Sequence, residues 1–256
     1  MTAGVDATHS DEFDLVAAWT AELAAGRDAQ TMLAAACRGS GSPAALAWLG
    51  EALHLDADTT LLDVGSGLGG PLQWAVERHG VRPLAAEPMP RAAQGAARLF
   101  DHPVVVAPGD ALPVSSASVD AAWMLGVLDT VEEPGRCLVE ARRVLRPHGR
   151  LGLLAYVADG PVDPEDAPDG NTFQTADDLR GALADAGFVV VERIVSDQLP
   201  PPPMDWRVRQ EAIDRELEER HAADPRWARA RDQEHRFGRL LSSGAVHPEL
   251  VHAMCI

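Results

Sequence analysis

The sequence predicts an α/β fold built on a doubly wound, mostly parallel sheet, and three observations carry that expectation. Five short apolar runs between Thr60 and Val157 alternate with helical stretches, the pattern of repeated strand-helix units. The first run ends in a glycine cluster, Gly65-Ser66-Gly67-Leu68-Gly69-Gly70, as a tight strand-to-helix turn requires. Apolar residues make up 46% of the chain and charged ones 24%, a globular rather than a disordered composition, and 256 residues hold one sizeable core with room for a small cap.

Ahead of the first strand, Asp11 to about His54 is Ala-rich and helical, punctuated at Gly26 and at Gly39-Ser40-Gly41-Ser42-Pro43, which predicts two or three short helices. Thr60 to Val64 is the first strand, and Pro71 to His79 is the helix after the glycine cluster. The unit then recurs, with strand Arg82 to Ala86 ending at Glu87, helix Pro90 to Phe100, and strand Pro103 to Ala107 ending at Gly109-Asp110. Val119 to Leu125 and Arg150 to Val157 are strands joined by a helix from about Pro134 to Leu145. The acidic, Pro- and Gly-rich loop Ala158 to Asn171 follows a strand at the edge where such sheets bind ligands, which makes it a candidate lid. A helix over Thr175 to Ala186 leads through Gly187-Phe188 into the β-branched run Val189 to Val195. Pro200 to Pro203 is a stiff spacer, two charged helices occupy about Asp205 to Ala222 and Pro225 to Ser242, and the apolar end, Leu250 to Ile256, reads as a final strand.

Gly65, Gly67 and Gly70 satisfy G-x-G-x-x-G, and Glu87 lies near the spacing at which a dinucleotide fold places its ribose-binding acid. Glycines let a cofactor approach the backbone at a tight turn, where a Cβ would collide with it. Spacing alone points to a nucleotide-like cofactor of unspecified kind. The run Leu62-Asp63-Val64-Gly65-Ser66-Gly67-Leu68-Gly69-Gly70-Pro71 resembles the first motif of class I S-adenosylmethionine-dependent methyltransferases, in which an acid precedes the glycines. Gly109-Asp110-Ala111-Leu112-Pro113 is similar to that family's G-D-A-x-x-L-P pattern. Leu145 to Leu151 resembles its turn into the fifth strand, with His148 where a glycine is usual, and the likeness covers about Leu61 to Val195.

The resemblance implies a Rossmann-like, seven-stranded sheet whose last strand is antiparallel, with S-adenosylmethionine as cofactor. It implies Glu87 on the ribose hydroxyls and Asp110 beside the adenine; one bidentate carboxylate suits two vicinal hydroxyls, and a carboxylate accepts an amino proton. The glycine loop and the helix N-terminus after it would offer N–H groups to the methionyl part, with Asp63 fixing the turn or meeting the ammonium through water. Gly65, Ser66, Gly67, Gly69, Met89, Ala111, Leu125 and Gly126 complete the expected cofactor contacts. In this role Glu87→Ala is expected to weaken cofactor binding while leaving thermal stability nearly unchanged. A nicotinamide-dependent oxidoreductase shares the glycine spacing, but Asp63 would lie close to its pyrophosphate and no S-x-x-x-Y-x-x-x-K-like set occurs. A non-catalytic cofactor-binding protein is a further alternative.

Ligands of such sheets bind outside the carboxyl ends of the strands, which sorts the histidines. His54, His102 and His148 precede strands and His79 closes a helix, all away from that edge, whereas His9, His221, His235, His247 and His252 remain. Many relatives carry a histidine near the position of Asp129; here Asp129 binds a cationic amine, takes a proton, or caps the helix that follows. Tyr156, the single tyrosine, ends the fifth strand, either walling the pocket with its hydroxyl on a substrate or packing in the core. Asp129, Tyr156 and His235 are the candidate catalytic residues, and Trp19, Met204 and Trp206 a candidate roof for the acceptor. Several small-molecule members of the family cap the acceptor site with helices between their sixth and seventh strands. The resemblance thus divides the chain into an N-terminal helical cap (1–56), a cofactor-binding core (57–199), a helical cap insert (200–247) and the last strand of the core (248–256). It implies methyl transfer to O, N or C of a small organic metabolite.

Lys+Arg 22 against Asp+Glu 39 gives a formal net charge of −17, which disfavours nucleic acid and anionic lipid as partners. Cys37, Cys137 and Cys255 lack C-x-x-C spacing and read as buried thiols rather than a disulfide framework or zinc site, and no metal-ligand cluster is apparent. Met1 to Glu12 is polar and acidic, unlike a secretory leader, and no apolar run reaches the roughly 18 residues of a membrane span. A cytoplasmic monomer or homodimer is expected.

Overall fold

The computed structural model describes residues 7–256, with side chains from Glu12 onward. The first six residues of the polar N-terminal stretch and the side chain of His9 lie outside the described part. Seven strands form one sheet: β1 (Thr60–Val64), β2 (Arg82–Glu87), β3 (Val104–Val106), β4 (Val119–Leu125), β5 (Leu145–Ala158), β6 (Phe188–Val195) and β7 (Val246–Cys255). Their spatial order is β3-β2-β1-β4-β5-β7-β6, and β7 enters antiparallel between β5 and β6 while the remaining pairs are parallel. The strand order reverses between β1 and β4, so the crevice of this sheet opens at their carboxyl ends.

The intervening helices are α4 (Gly70–His79), α5 (Pro90–Phe100), α6 (Pro134–Val144) and α7 (Ala176–Asp185). Helices α1 (Ala7–Ala24), α2 (Ala29–Ala36) and α3 (Pro43–Ala52) precede the sheet, and α8 (Met204–His221) and α9 (Pro225–Ser243) fill the connection to β7. Local chemistry fixes these ends. The Ser42 hydroxyl accepts from Ala45 N at the start of α3, Asp28 does the same for α2, and Thr175 with Asp178 forms a capping box on α7. Proline stands in the first turn of α3 to α6 and of α9, where its missing N–H has no intrahelical partner to lose.

The central strands are covered on both faces, which is why they read as nearly unbroken apolar runs. Leu61, Trp123 and Leu154 pack with Leu46 and Leu49 of α3 and Leu53 just past its end on one face. Leu62, Met124 and Leu153 pack with Leu138 of α6 and Leu179 of α7 on the other. Away from the sheet, α1, α2, α8 and α9 share Leu23, Ile213, Leu217 and Trp227, and Arg209 and Arg38 reach across to Asp28 and Glu234 at 2.7 and 3.1 Å. The N-terminal helices and the late insert are therefore packed together although distant in sequence.

Some boundaries move. β5 begins at Leu145 rather than Arg150 and folds through His148 at φ 62°, a left-handed position that costs a residue with a Cβ more than glycine. β7 begins at Val246, two residues before the expected boundary. Met204 is 66% exposed and Trp206 sinks into the α3 side of the core, so neither forms the expected roof; Trp19 stacks on His221 at 3.8 Å inside the cap.

Candidate active site

At the end of β1 the chain turns through Gly65, Gly67 and Gly69, all at positive φ, into α4. Two of the loop's glycines are needed for different reasons. A Cβ on Gly70 would lie 2.4 Å from Ala36 C and 2.5 Å from Cys37 N, so the end of α2 rests directly on the loop. A Cβ on Gly67 would meet nothing within 4 Å, so packing does not explain this glycine; its φ of 53° and the open space beside its backbone do.

Glu87 at the end of β2 holds this loop. Its Oε2 accepts from Gly67 N at 2.6 Å and its Oε1 from Met89 N at 2.9 Å, and it is only 1% exposed. Burial pushes its carboxyl above the usual range; the two amides oppose this, and Asp14 of α1 adds to it. Asp14 itself accepts from Ala92 N at 2.8 Å, tying α1 to the N-terminus of α5. Asp63 on β1 is also 1% exposed, and its pKa is pushed up to about 7, first by burial and then by the Glu87 charge, with the Trp123 indole opposing. Asp63 Oδ2 and Ser66 Oγ are buried without a hydrogen-bond partner.

Leu125 and Gly126 lie across the crevice at the end of β4, and a Cβ on Gly126 would sit 3.3 Å from Gly39 O and 3.6 Å from the Tyr156 ring. Asp129 is buried; its Oδ2 accepts from Asn171 Nδ2 at 3.1 Å and its carbonyl from Thr172 N at 2.8 Å. It does not cap α6, whose N-cap position is Glu133. Burial raises the Asp129 pKa to about 6 against the Asn171 bond. Tyr156 faces the edge of Phe237 at 4.7 Å, and burial together with the Asp129 charge pushes its phenol up.

The structure thus brings together Asp63, Gly65, Ser66, Gly67, Gly69, Glu87 and Met89 around one loop, and Asp129 with Tyr156 beside Leu125 and Gly126. Asp110 is half-buried and lies 3.5 Å from Arg136 Nη2, with Ala111 exposed next to it, and a Cβ on the preceding Gly109 would sit 3.2 Å from Val64 Cγ1 at the end of β1. His235 is exposed, on the side of α9 opposite the Phe237 that meets Tyr156, and is not brought to this group. Sequence reasoning missed Asp14, which acts from a helix with no motif, and Asn171, whose place at the end of the acidic loop was the available signal. Among the described residues no group of three His, Cys, Asp or Glu could hold a metal ion, and no helix is long and apolar enough to cross a membrane.

Residues 62–153 match the family model described as a methyltransferase domain. With the sheet order and the glycine loop, this match marks residues 62–153 as similar to a methyltransferase domain carried on a Rossmann-like sheet. Among relatives, the chain is 30% identical over 163 residues to an arsenite methyltransferase from Halobacterium salinarum, covering 57% of this chain and 41% of that protein. It spans less than half the length of the first curated relatives it matches. Its fold is similar to the [4+2]-cyclase SpnF (TM-score 0.66, 22% identity, 82% of this chain and 79% of that one). It is similar also to geranyl diphosphate C-methyltransferase from Streptomyces coelicolor (TM-score 0.63, 18% identity, 82% and 75%).

Proposed function

We propose that the chain transfers a methyl group from S-adenosylmethionine to a small organic metabolite. The observation that carries this reading is the cradle at Gly67, where open space adjoins a bare backbone and two buried polar atoms, Asp63 Oδ2 and Ser66 Oγ, lack partners. Buried polar atoms are costly unless something bonds them, so the cradle is suited to a polar ligand.

The residues fit the adenosyl cofactor. Asp63 would face its ammonium, Glu87 its ribose hydroxyls through lone pairs left free by the two amides, and Asp110 its adenine amino group. The bound cofactor supplies an activated methyl on a sulfonium with a good leaving group. The chain's own part is alignment and exclusion of water, with α1 and α2 closing over the glycine loop and the helices of 7–52 and 204–243 forming the acceptor cap. A pyrophosphate would meet Asp63 and Glu87 instead of cations, which weighs against the nicotinamide alternative. Arsenite, named for the Halobacterium relative, is a soft thiophile, whereas Cys37, Cys137 and Cys255 are all buried and belong to separate elements.

Calorimetric titration with S-adenosylmethionine, S-adenosylhomocysteine and NADH tests the reading without knowledge of the acceptor. Micromolar affinity for the two adenosyl compounds and none for NADH is expected. Binding of NADH alone would replace the reading with an oxidoreductase. Adenosyl binding with no methyl transfer to any small acceptor would favour a non-catalytic role, since one fold hosts many activities.

A further inference from the structure

Beside the last residues of β5 and just past the end of β4, a cavity of about 10 Å³ lies against Asp129, Tyr156, Thr172 and Gln174, with Leu128 and Leu179 behind them. That volume admits about one water-sized group. Asp129 is 5% exposed; Asn171 occupies its Oδ2, and its Oδ1 has no partner. A buried carboxylate oxygen with no donor is costly, so the site suits a group that brings one. Among the described residues lining the cavity none is basic, and the segment beside it, 159–175, carries Asp159, Asp163, Glu165, Asp166 and Asp169 against two bases packed on it from outside, Arg236 of α9 at 2.7 Å from Asp169 and His247 of β7 at 3.5 Å from Asp159, so carboxylates remain in excess. The field at this edge draws cations and repels anions.

We propose that this site holds the nitrogen of a small aliphatic amine and that the chain is an amine N-methyltransferase, an assignment that rests on the methyl-transfer reading above. The ammonium form is drawn in and sheds one proton to solvent. The amine then donates a remaining N–H to Asp129 Oδ1 while its lone pair meets the methyl carbon. The N–C bond forms as the C–S bond breaks, the electron pair leaves on sulfur as a neutral thioether, and the positive charge passes to nitrogen beside the carboxylate. An oxygen nucleophile inverts this charge pattern, because its reactive form is an anion next to Asp129. Tyr156 is a phenol already in this wall, and burial and the Asp129 charge hold it protonated.

The test pairs binding with transfer. Wild type and Asp129→Asn are titrated with S-adenosylhomocysteine, then assayed with methyl-labelled S-adenosylmethionine on dimethylamine and ethanolamine against phenol and catechol. Label is expected on the nitrogen of the amines and not on the phenols, with kcat/KM for the amine falling about 10- to 150-fold in Asp129→Asn, the span of a hydrogen bond to a charged group. S-adenosylhomocysteine affinity should stay within about 2-fold, since Asp129 lies outside the glycine-loop cradle. Preference for the phenols, amine transfer indifferent to Asp129→Asn, or cofactor binding with no amine methylated would each overturn the amine assignment alone. The wild-type comparison decides even where the variant fails to fold. Loss of S-adenosylhomocysteine binding by wild type would sink the methyl-transfer reading and this assignment with it.

Discussion

Gly67 donates its amide hydrogen to Glu87 Oε2 at 2.6 Å, so the carboxylate that closes β2 also fixes the backbone of the glycine loop twenty residues earlier. Glu87→Ala orphans this amide and that of Met89, each at about 1–3 kcal/mol where buried, offset in part by relief of the desolvation that raises the Glu87 pKa. The variant is therefore expected to lose thermal stability as well as cofactor affinity, at roughly 2–4 °C in Tm per kcal/mol for a chain of this length. This corrects the expectation, drawn from a ribose role alone, that stability would be nearly unchanged. Glu87→Gln keeps one acceptor and should fall between. A Glu87→Ala protein melting with the wild type would mean that the loop holds its shape unaided.

Gly67 and Gly70 separate ligand approach from packing. Gly67→Ala meets no atom and carries only the strain of a left-handed residue, about 1–2 kcal/mol, but places a methyl in the space beside the cradle. Gly70→Ala drives a Cβ into the backbone of Ala36 and Cys37, where no side chain can turn away. Gly67→Ala should fold and bind S-adenosylhomocysteine at least about 10-fold more weakly, a loss of about 1.4 kcal/mol. Gly70→Ala should be the less stable of the two by circular dichroism, and the reverse order would remove α2 as a support of the loop.

The central strands were legible because β1, β4 and the second half of β5 are buried on both faces, and β1, β2, β4 and β5 end at or beside a glycine or an acid. The cradle was legible for the same reason: Asp63, Gly67 and Glu87 are fixed by strand ends one helix apart. Less legible was whatever depends on contacts between distant segments. Nothing in the run around Asp14 announces that it caps α5, and His235 and Phe237 differ in exposure only because of how α9 is rotated against β5. Met204 and Trp206 adjoin in sequence pattern, yet one is exposed and the other is core. Such outcomes are set by docking of the cap, which local periodicity does not encode.

Asp63 gives the protein a pH dependence of definite sign. Its pKa is about 7 in the folded chain against the ordinary 3.8, so the folded state binds the proton more tightly than the unfolded state does. The associated stability is full below 3.8, declines as pH rises, and is gone above about 7; Asp129 acts in the same direction up to about 6. Asp63→Asn cannot ionise, so its Tm should gain on the wild type from acid toward neutral pH and hold that gain at about pH 8. Saturating S-adenosylmethionine should narrow the gap, since a cation beside Asp63 favours its charged form. A gap that does not vary with pH would mean that Asp63 titrates normally.

The acidic loop is latched to the cap, and the latch leads to Asp129. Arg236 Nη1 meets Asp169 Oδ1 at 2.7 Å, Gln233 Nε2 donates to Asp169 Oδ2 at 2.8 Å, and Arg236 Nη2 donates to Glu165 O at 2.8 Å. Two residues beyond Asp169, Asn171 donates to Asp129, so α9 positions the partner of that carboxylate through the loop. Arg236→Ala should cost only about 1 kcal/mol globally, because Asp169 is largely exposed and screened. Its main effect should be local, with faster amide hydrogen exchange across residues 163–173, including Thr172, whose N–H is bonded to the Asp129 carbonyl. His235→Ala, one residue away but exposed, should leave exchange unchanged and stability within about 0.5 kcal/mol. Equal exchange in the wild type and Arg236→Ala would show that the loop is held by its own turns, and Asp129 would then owe its geometry to β4 rather than to the cap.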